Sequence, residues 1–133
     1  MSGPERISTA ASGRSGQVSV PPRRKLTLKL DKRDAATILH VEGDIDLATV
    51  PPLRDAAFAE LEGGPAVLVL DFSGVGFLAS AGLSALTALL DAAEPRTKLR
   101  IVAGPIAYRA IEFSGLATEL SVFSTLDDAL AST

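Results

Sequence analysis

The sequence predicts a single α/β domain, one mixed β-sheet with helices mainly on one face, in the order β-β-α-β-α-β-α-β-α. Three observations carry that expectation. Val67-Leu68-Val69-Leu70 is an unbroken apolar run, too short for a helix and rich in β-branched Val, which is the pattern of a central strand buried on both faces. After an opening hairpin, strands alternate with amphipathic helical segments, an order that calls for parallel pairing through right-handed crossovers. The 133 residues, 47% of them hydrophobic, suffice for one core and not for two ordinary domains.

Residues 1–22 are rich in Ser, Gly, Ala and Pro without periodicity, so they bury too little apolar surface to offset the entropy of ordering and are expected to be a disordered tail ahead of a domain over 23–133. Arg23-Arg24-Lys25 at the boundary is either a handle for a partner or a solvated stop that protects the first edge strand. Leu26, Leu28 and Leu30 alternate with polar residues, Asp31-Lys32-Arg33-Asp34 forms a polar break, and Thr37 to Glu42 reads as the second hairpin strand. His40, on the face of Ile38 and Glu42, is expected to be a sheet-surface residue without a chemical role.

Gly43-Asp44-Ile45-Asp46 ends that strand, and Thr49 or Val50 leads into a helix opened by Pro51-Pro52, whose buried face carries Val50, Leu53, Ala57 and Leu61. Gly63-Gly64-Pro65 stops it. After the apolar strand, Ser73-Gly74 is expected to turn the chain, Phe77 and Leu78 to return it to the core, and Ser80 to stand at a helix N-cap. In that helix Leu83, Leu86, Leu90 and Ala93 mark the core side, and Ser84, Thr87 and Asp91 the free side. Gly82 in the first turn costs about 1 kcal/mol relative to Ala, which implies a close approach there. Lys98 to Ala103, Ile106 to Ser114, Leu120 to Phe123 and Leu126 to Ala131 read as strand, helix, strand and closing helix.

Composition narrows the chemistry. No Cys and one His exclude a disulfide framework, a Cys-ligated zinc and a thiol nucleophile, and leave no metal or cofactor signature. No window approaches the roughly 20 apolar residues of a membrane span, and no signal-peptide core is present, so a cytoplasmic protein with no membrane partner is expected. Residues 1–25 carry five Lys/Arg and one acid, net +4, whereas the remainder carries eight and fifteen, net −7. An acidic domain points to protein partners rather than to direct nucleic-acid binding. Ala79-Ser80-Ala81-Gly82 is not a nucleophile elbow and no phosphate loop is present, so an enzyme is not expected. Ser80 at a helix start either caps the helix, worth about 1 kcal/mol, or accepts a phosphate where free N–H groups welcome an anion.

Gly43-Asp44-Ile45-Asp46 with Thr49, then Val69 to Val75 leading into Phe77-Leu78-Ala79-Ser80-Ala81-Gly82-Leu83, resembles the STAS domain of anti-sigma factor antagonists. Phe113-Ser114-Gly115-Leu116 and Asp127-Asp128-Ala129-Leu130 match later landmarks of that family, so the resemblance runs from Leu26 to Leu130. It implies a partner that is both anti-sigma factor and serine kinase, captured only by the unphosphorylated form, with a phosphatase resetting the switch. Ser80 matches the phosphorylated position, Asp46 matches the acid near it, and the partner surface is expected to comprise Asp44, Asp46, Thr49, Ala79, Ser80, Ala81, Gly82, Ser84, Thr87 and Asp91. The pattern departs from the family at Ala79, where Asp is usual, and at Ala81, where Ser is usual. That departure keeps open a STAS scaffold or regulatory subunit of a transport or stress-signalling complex; a small phosphate- or nucleotide-binding enzyme is a third reading.

Overall fold

The computed structural model describes residues 25–131; the tail expected over residues 1–22 lies outside them. The described elements are β1 (Leu26–Arg33), β2 (Ala36–Ile45), α1 (Val50–Glu62), β3 (Val67–Leu78), α2 (Ser80–Ala93), β4 (Lys98–Ala103), α3 (Pro105–Phe113), a 3-10 turn (Leu116–Thr118), β5 (Ser121–Phe123) and α4 (Leu126–Ala131). The expected order of strands and helices is thus found. All five strands form one mixed sheet in sequence order, with β1 antiparallel to β2 and the three remaining pairs parallel.

Helices α1, α2 and α3 cover one face. Their buried residues Leu53, Ala57, Leu86, Leu89, Ala107 and Ile111 join Leu39, Val41, Ile45, Leu68, Leu70 and Phe72 of the sheet in one core. Helix α4 alone lies on the other face, where Ala129 packs with Ile38, Val69 and Val102. Arg100 is buried on this side, and its Nη1 donates to the Ala129 carbonyl at 2.8 Å, so a cation meets the negative end of the closing helix. The half of that face nearer β1 carries no helix among the described residues and is lined by Thr27, Lys29, His40 and Glu42.

Two boundaries differ from the sequence expectation for one physical reason. The break at Asp31-Lys32-Arg33-Asp34 is strand as far as Arg33, and only Asp34-Ala35 turns, with Asp34 at φ 29; a run of consecutive polar residues on an exposed hairpin imitates a loop. Likewise Ser73-Gly74 does not turn the chain, because β3 runs on to Leu78. Its pairing with β2 shifts register twice, between His40 and Glu42 and between Gly43 and Asp44. Each shift admits one extra residue in β3, a bulge that kinks the strand without ending it. Gly43 sits at φ 115 against the Lys25 carbonyl, a conformation and an approach that no Cβ would permit.

Candidate functional site

The carboxyl ends of β2 and β3 meet at one rim. Beyond Ile45 the chain makes a tight turn built on Asp46 and Thr49. Asp46 Oδ1 accepts from the Ala48 and Thr49 backbone N–H groups at 2.9 and 3.0 Å, while Thr49 Oγ1 donates to the Asp44 carbonyl at 2.7 Å and accepts from the Asp46 N–H at 2.9 Å. Asp46 thus acts first as a turn-former, satisfying local donors in the manner of an Asx turn. Thr49 is buried and stands at the start of α1 without a side-chain cap to that helix. Its hydroxyl serves the turn instead.

From the neighbouring strand, the Ala79 N–H donates to the Ile45 carbonyl at 2.9 Å, and α2 begins at the next residue. Ser80 is therefore the residue next to a bond that ties both rim segments together. It is the first helical residue and not the N-cap; that position belongs to Ala79, which is extended and supplies no side-chain cap. The hydroxyl of Ser80 is exposed and takes part in no hydrogen bond among the described residues. A capping role for Ser80 is thereby excluded. In this turn the Gly82 and Leu83 N–H groups donate to the Ala79 carbonyl at 2.9 and 3.2 Å, while those of Ser80 and Ala81 come before the helix's own bonds, as at every helix start.

The expected surface residues divide. Ser84, Thr87 and Asp91 are exposed along α2, and Thr87 Oγ1 donates back to the Leu83 carbonyl at 3.3 Å. Asp44, Asp46, Ala79 and Ala81 are half-buried at the rim. Gly82 is a correction: it is buried, and a Cβ on it would stand 2.5 Å from Leu78 Cδ1 and 2.7 Å from Ile45 Cγ2. The close approach implied by this glycine comes from the core below, so Gly82 seats the helix start and offers no side to a partner. The core side of α2 is correspondingly centred on Gly82, Ala85, Leu86, Leu89 and Ala93, with Leu83 and Leu90 packed at its edge. Helical spacing alone leaves that rotation undetermined.

Two features escaped the sequence reading. Leu47, a single apolar residue in a polar turn without a periodic signal, is 80% exposed. Phe77 is a correction: expected in the core with Leu78, it is 42% exposed, because the second bulge leaves Leu78 alone on the core side of β3. His40, expected to be idle, pairs through Nδ1 with Asp71 Oδ2 at 2.7 Å across β2 and β3. Asp71 Oδ1 also accepts from the Ser73 hydroxyl at 2.7 Å and from its backbone N–H at 3.1 Å. Burial pushes the Asp71 pKa up, but the two Ser73 bonds, then His40, outweigh it and hold the carboxyl below its ordinary value of 3.8. Setting the apolar runs of β2 and β3 side by side in parallel, Ile38 against Val69, would have brought His40 opposite Asp71.

These three side chains do not form a catalytic triad, because Asp71 lies between His40 and Ser73 and no imidazole nitrogen activates the hydroxyl. No group of three or more His, Cys, Asp or Glu able to hold a metal occurs among the described residues, and no helix there is long and apolar enough to cross a membrane. What the rim offers is a surface: a rigid acidic turn, an exposed leucine and an accessible serine at a helix start.

Comparison with known proteins agrees with this geometry. Residues 28–121 match the family described as Mlab, STAS domain. The anti-sigma-F factor antagonist RsfB of Mycobacterium tuberculosis is 35% identical over 106 residues, which cover 79% of this chain and 87% of that protein. The crystal structure of an anti-sigma factor antagonist from Mycobacterium paratuberculosis superposes with a TM-score of 0.78 at 36% identity, covering 86% of this chain and 97% of the other. The Bacillus cell fate determinant SpoIIAA in its phosphorylated form shares the fold, with a TM-score of 0.58 at 19% identity over 79% of this chain and 97% of its own. A five-stranded mixed sheet, a serine-bearing helix start beside a Gly-Asp-Ile-Asp turn and a family match over most of the described residues together make this chain a member of the STAS domain family.

Proposed function

We propose that the protein is an anti-sigma factor antagonist that captures an anti-sigma factor with serine-kinase activity, and that phosphorylation of Ser80 switches the capture off. The observation that carries this reading is the accessible Ser80 hydroxyl in the first turn of α2, without a hydrogen bond among the described residues and held beside the Asp46–Thr49 turn through the Ala79 N–H and the Ile45 carbonyl. Relatives at 35% and 36% identity bear the name of anti-sigma factor antagonists. A phosphate there would sit favourably against the positive end of the helix, so the fold would tolerate it. At a contact surface the same dianion must be desolvated, and binding suffers where folding does not.

The partner surface comprises Asp44, Asp46 and Leu47 of the turn, Ala79 to Ala81 at the helix start, and Ser84, Thr87 and Asp91 along α2. Ligand binding to a protein partner and phosphate removal by a phosphatase complete the cycle; no cofactor, metal, membrane or direct nucleic-acid contact enters it, and its setting is the cytoplasm. The test is to incubate the full chain with an ATPase-type anti-sigma factor encoded in the same genome, with and without ATP, and to map phosphate by mass spectrometry while measuring affinity. Stable capture without ATP and phosphate on Ser80 with it are expected. Capture with no phosphate on Ser80 would favour the scaffold reading, for which Ala79 and Ala81 in place of the family's polar pair are the specific observation.

A further inference from the structure

We infer that the basic segment 1–24 is an intramolecular occupant of the acidic rim, so that the chain carries a competitor for its own partner surface. Three observations converge on this. The first concerns where the described chain begins: the Lys25 carbonyl packs against Gly43 and accepts from the Asp44 N–H at 3.4 Å. The segment is therefore tethered at the rim itself, next to Asp44 and Asp46, and not at the far end of the sheet.

The second is charge. Residues 1–24 hold Arg6, Arg14, Arg23 and Arg24 against Glu5 alone, net +3, whereas residues 26–133 hold eight Lys/Arg and fifteen acids, net −7. Opposite signs in one chain attract, and a tether of this length raises the local concentration of the segment to the millimolar range. Fully extended, 24 residues reach about 80 Å, so geometry does not restrict contact with the rim.

The third is the surface itself. Leu47, 80% exposed, follows Asp46 in the turn, and Phe77, 42% exposed, stands in register with Asp44 across β2 and β3, so apolar and acidic residues share the rim. Ile7, Val18 and Val20 interleave the arginines of the segment, so the two match in both properties. The inference needs no particular partner to hold. If Ser80 proves unmodified, the contact stands; if the contact fails, the phosphorylation cycle is untouched.

The absence of cysteine from the sequence makes the test direct. A nitroxide is attached to Ser12→Cys in the 15N-labelled full chain, and paramagnetic broadening of backbone amides is read by NMR. The same label is then read in a chain that also carries Arg14→Glu, Arg23→Glu and Arg24→Glu. Broadening is expected to concentrate on residues 44–49 and 76–81 and to fall about twofold or more on charge reversal, and likewise in about 0.5 M salt, where the screening length is about 4 Å. Equal profiles in the two chains would overturn the inference, since tethering alone would then account for proximity. Broadening on a 15N chain without the label, mixed with a labelled chain without 15N, would make a second copy the occupant and overturn it as well.

Discussion

Replacing Gly82 with Ala adds one methyl group at the point where α2 meets the sheet, and the structure sets two opposing magnitudes. A helix gains about 1 kcal/mol from Gly to Ala in its interior, and less in the first turn. Against this, the new Cβ would stand 2.5 Å from Leu78 Cδ1 and 2.7 Å from Ile45 Cγ2. Leu78 Cδ1 is the end of a flexible side chain and can rotate; Ile45 Cγ2 branches directly from a buried strand and cannot leave without moving backbone. Overpacking of this kind costs about 1–3 kcal/mol. Because one of the two neighbours is stiff, the upper half of that range applies, and the net effect is a loss of about 1–2 kcal/mol. For a domain of this size that lowers the melting temperature by roughly 4–15 °C. Urea and thermal unfolding followed by circular dichroism measure it, and Ile45→Ala in the same background isolates the contact, since removing the offending methyl should cost less there than in the wild type. A Gly82→Ala chain as stable as the wild type, with no coupling to Ile45, would refute the argument that this glycine exists for the core.

The remaining expectations follow from the same geometry. Thr49→Val removes the hydroxyl that accepts from the Asp46 N–H and donates to the Asp44 carbonyl and should cost about 1–3 kcal/mol in urea unfolding. The Asp71 carboxyl lies below its ordinary 3.8 in the fold, so its stabilisation is present above that pH and is lost as pH falls through the folded value; wild type should therefore lose stability between about pH 5 and pH 2 more steeply than Asp71→Asn, which is already weaker at neutral pH. Ser80→Glu should leave the melting temperature unchanged while weakening partner affinity by about 2 kcal/mol or more, roughly thirtyfold, in calorimetry; equal affinities would refute the switch. Ser84→Arg, on the exposed side of α2, should change stability by no more than about 0.5 kcal/mol and still impair capture in the same assay.

The fold was legible wherever burial imposes a period. The run Val67–Leu70 declared its strand, the boundaries of β4 and α4 were met residue for residue, and glycine and proline pairs marked the ends of α1. Legibility failed where tertiary context overrules local chemistry. Ser73-Gly74 has the composition of a turn, yet pairing with β2 on one side and β4 up to Phe72 on the other carries the strand through it as a bulge. The rim was visible as Asp46, Thr49 and Ser80, but their duties were not. The bonds that lock Asp46 into its own turn are local, to Ala48 and Thr49, but an Asp near a strand end does not by itself announce such a turn, and the Ile45 methyl that requires Gly82 comes from a neighbouring strand distant in sequence. A single histidine has no spacing of its own to read, so the partner of His40 follows only once the apolar runs of β2 and β3 are aligned in parallel.

The two bulges in β3 amount to a tally kept along the strand. On β2 the residues facing the three helices, Leu39, Val41 and Ile45, keep odd numbers throughout, whereas on β3 the same side is held by Leu68, Leu70 and Phe72, then Val75, then Leu78. Each supernumerary residue resets the parity, and two resets restore it just before the chain enters α2. Where Ser80 emerges on the rim is thus decided by a count of residues between Phe72 and Leu78 more than by the identity of any one of them. Point substitution in this interval should be tolerated at its exposed positions, but deletion of a single residue such as Gly76 would send Leu78 outward and bring the serine under the helix. Homologous chains that keep a serine at this place on the rim should therefore vary in letters here and not in length.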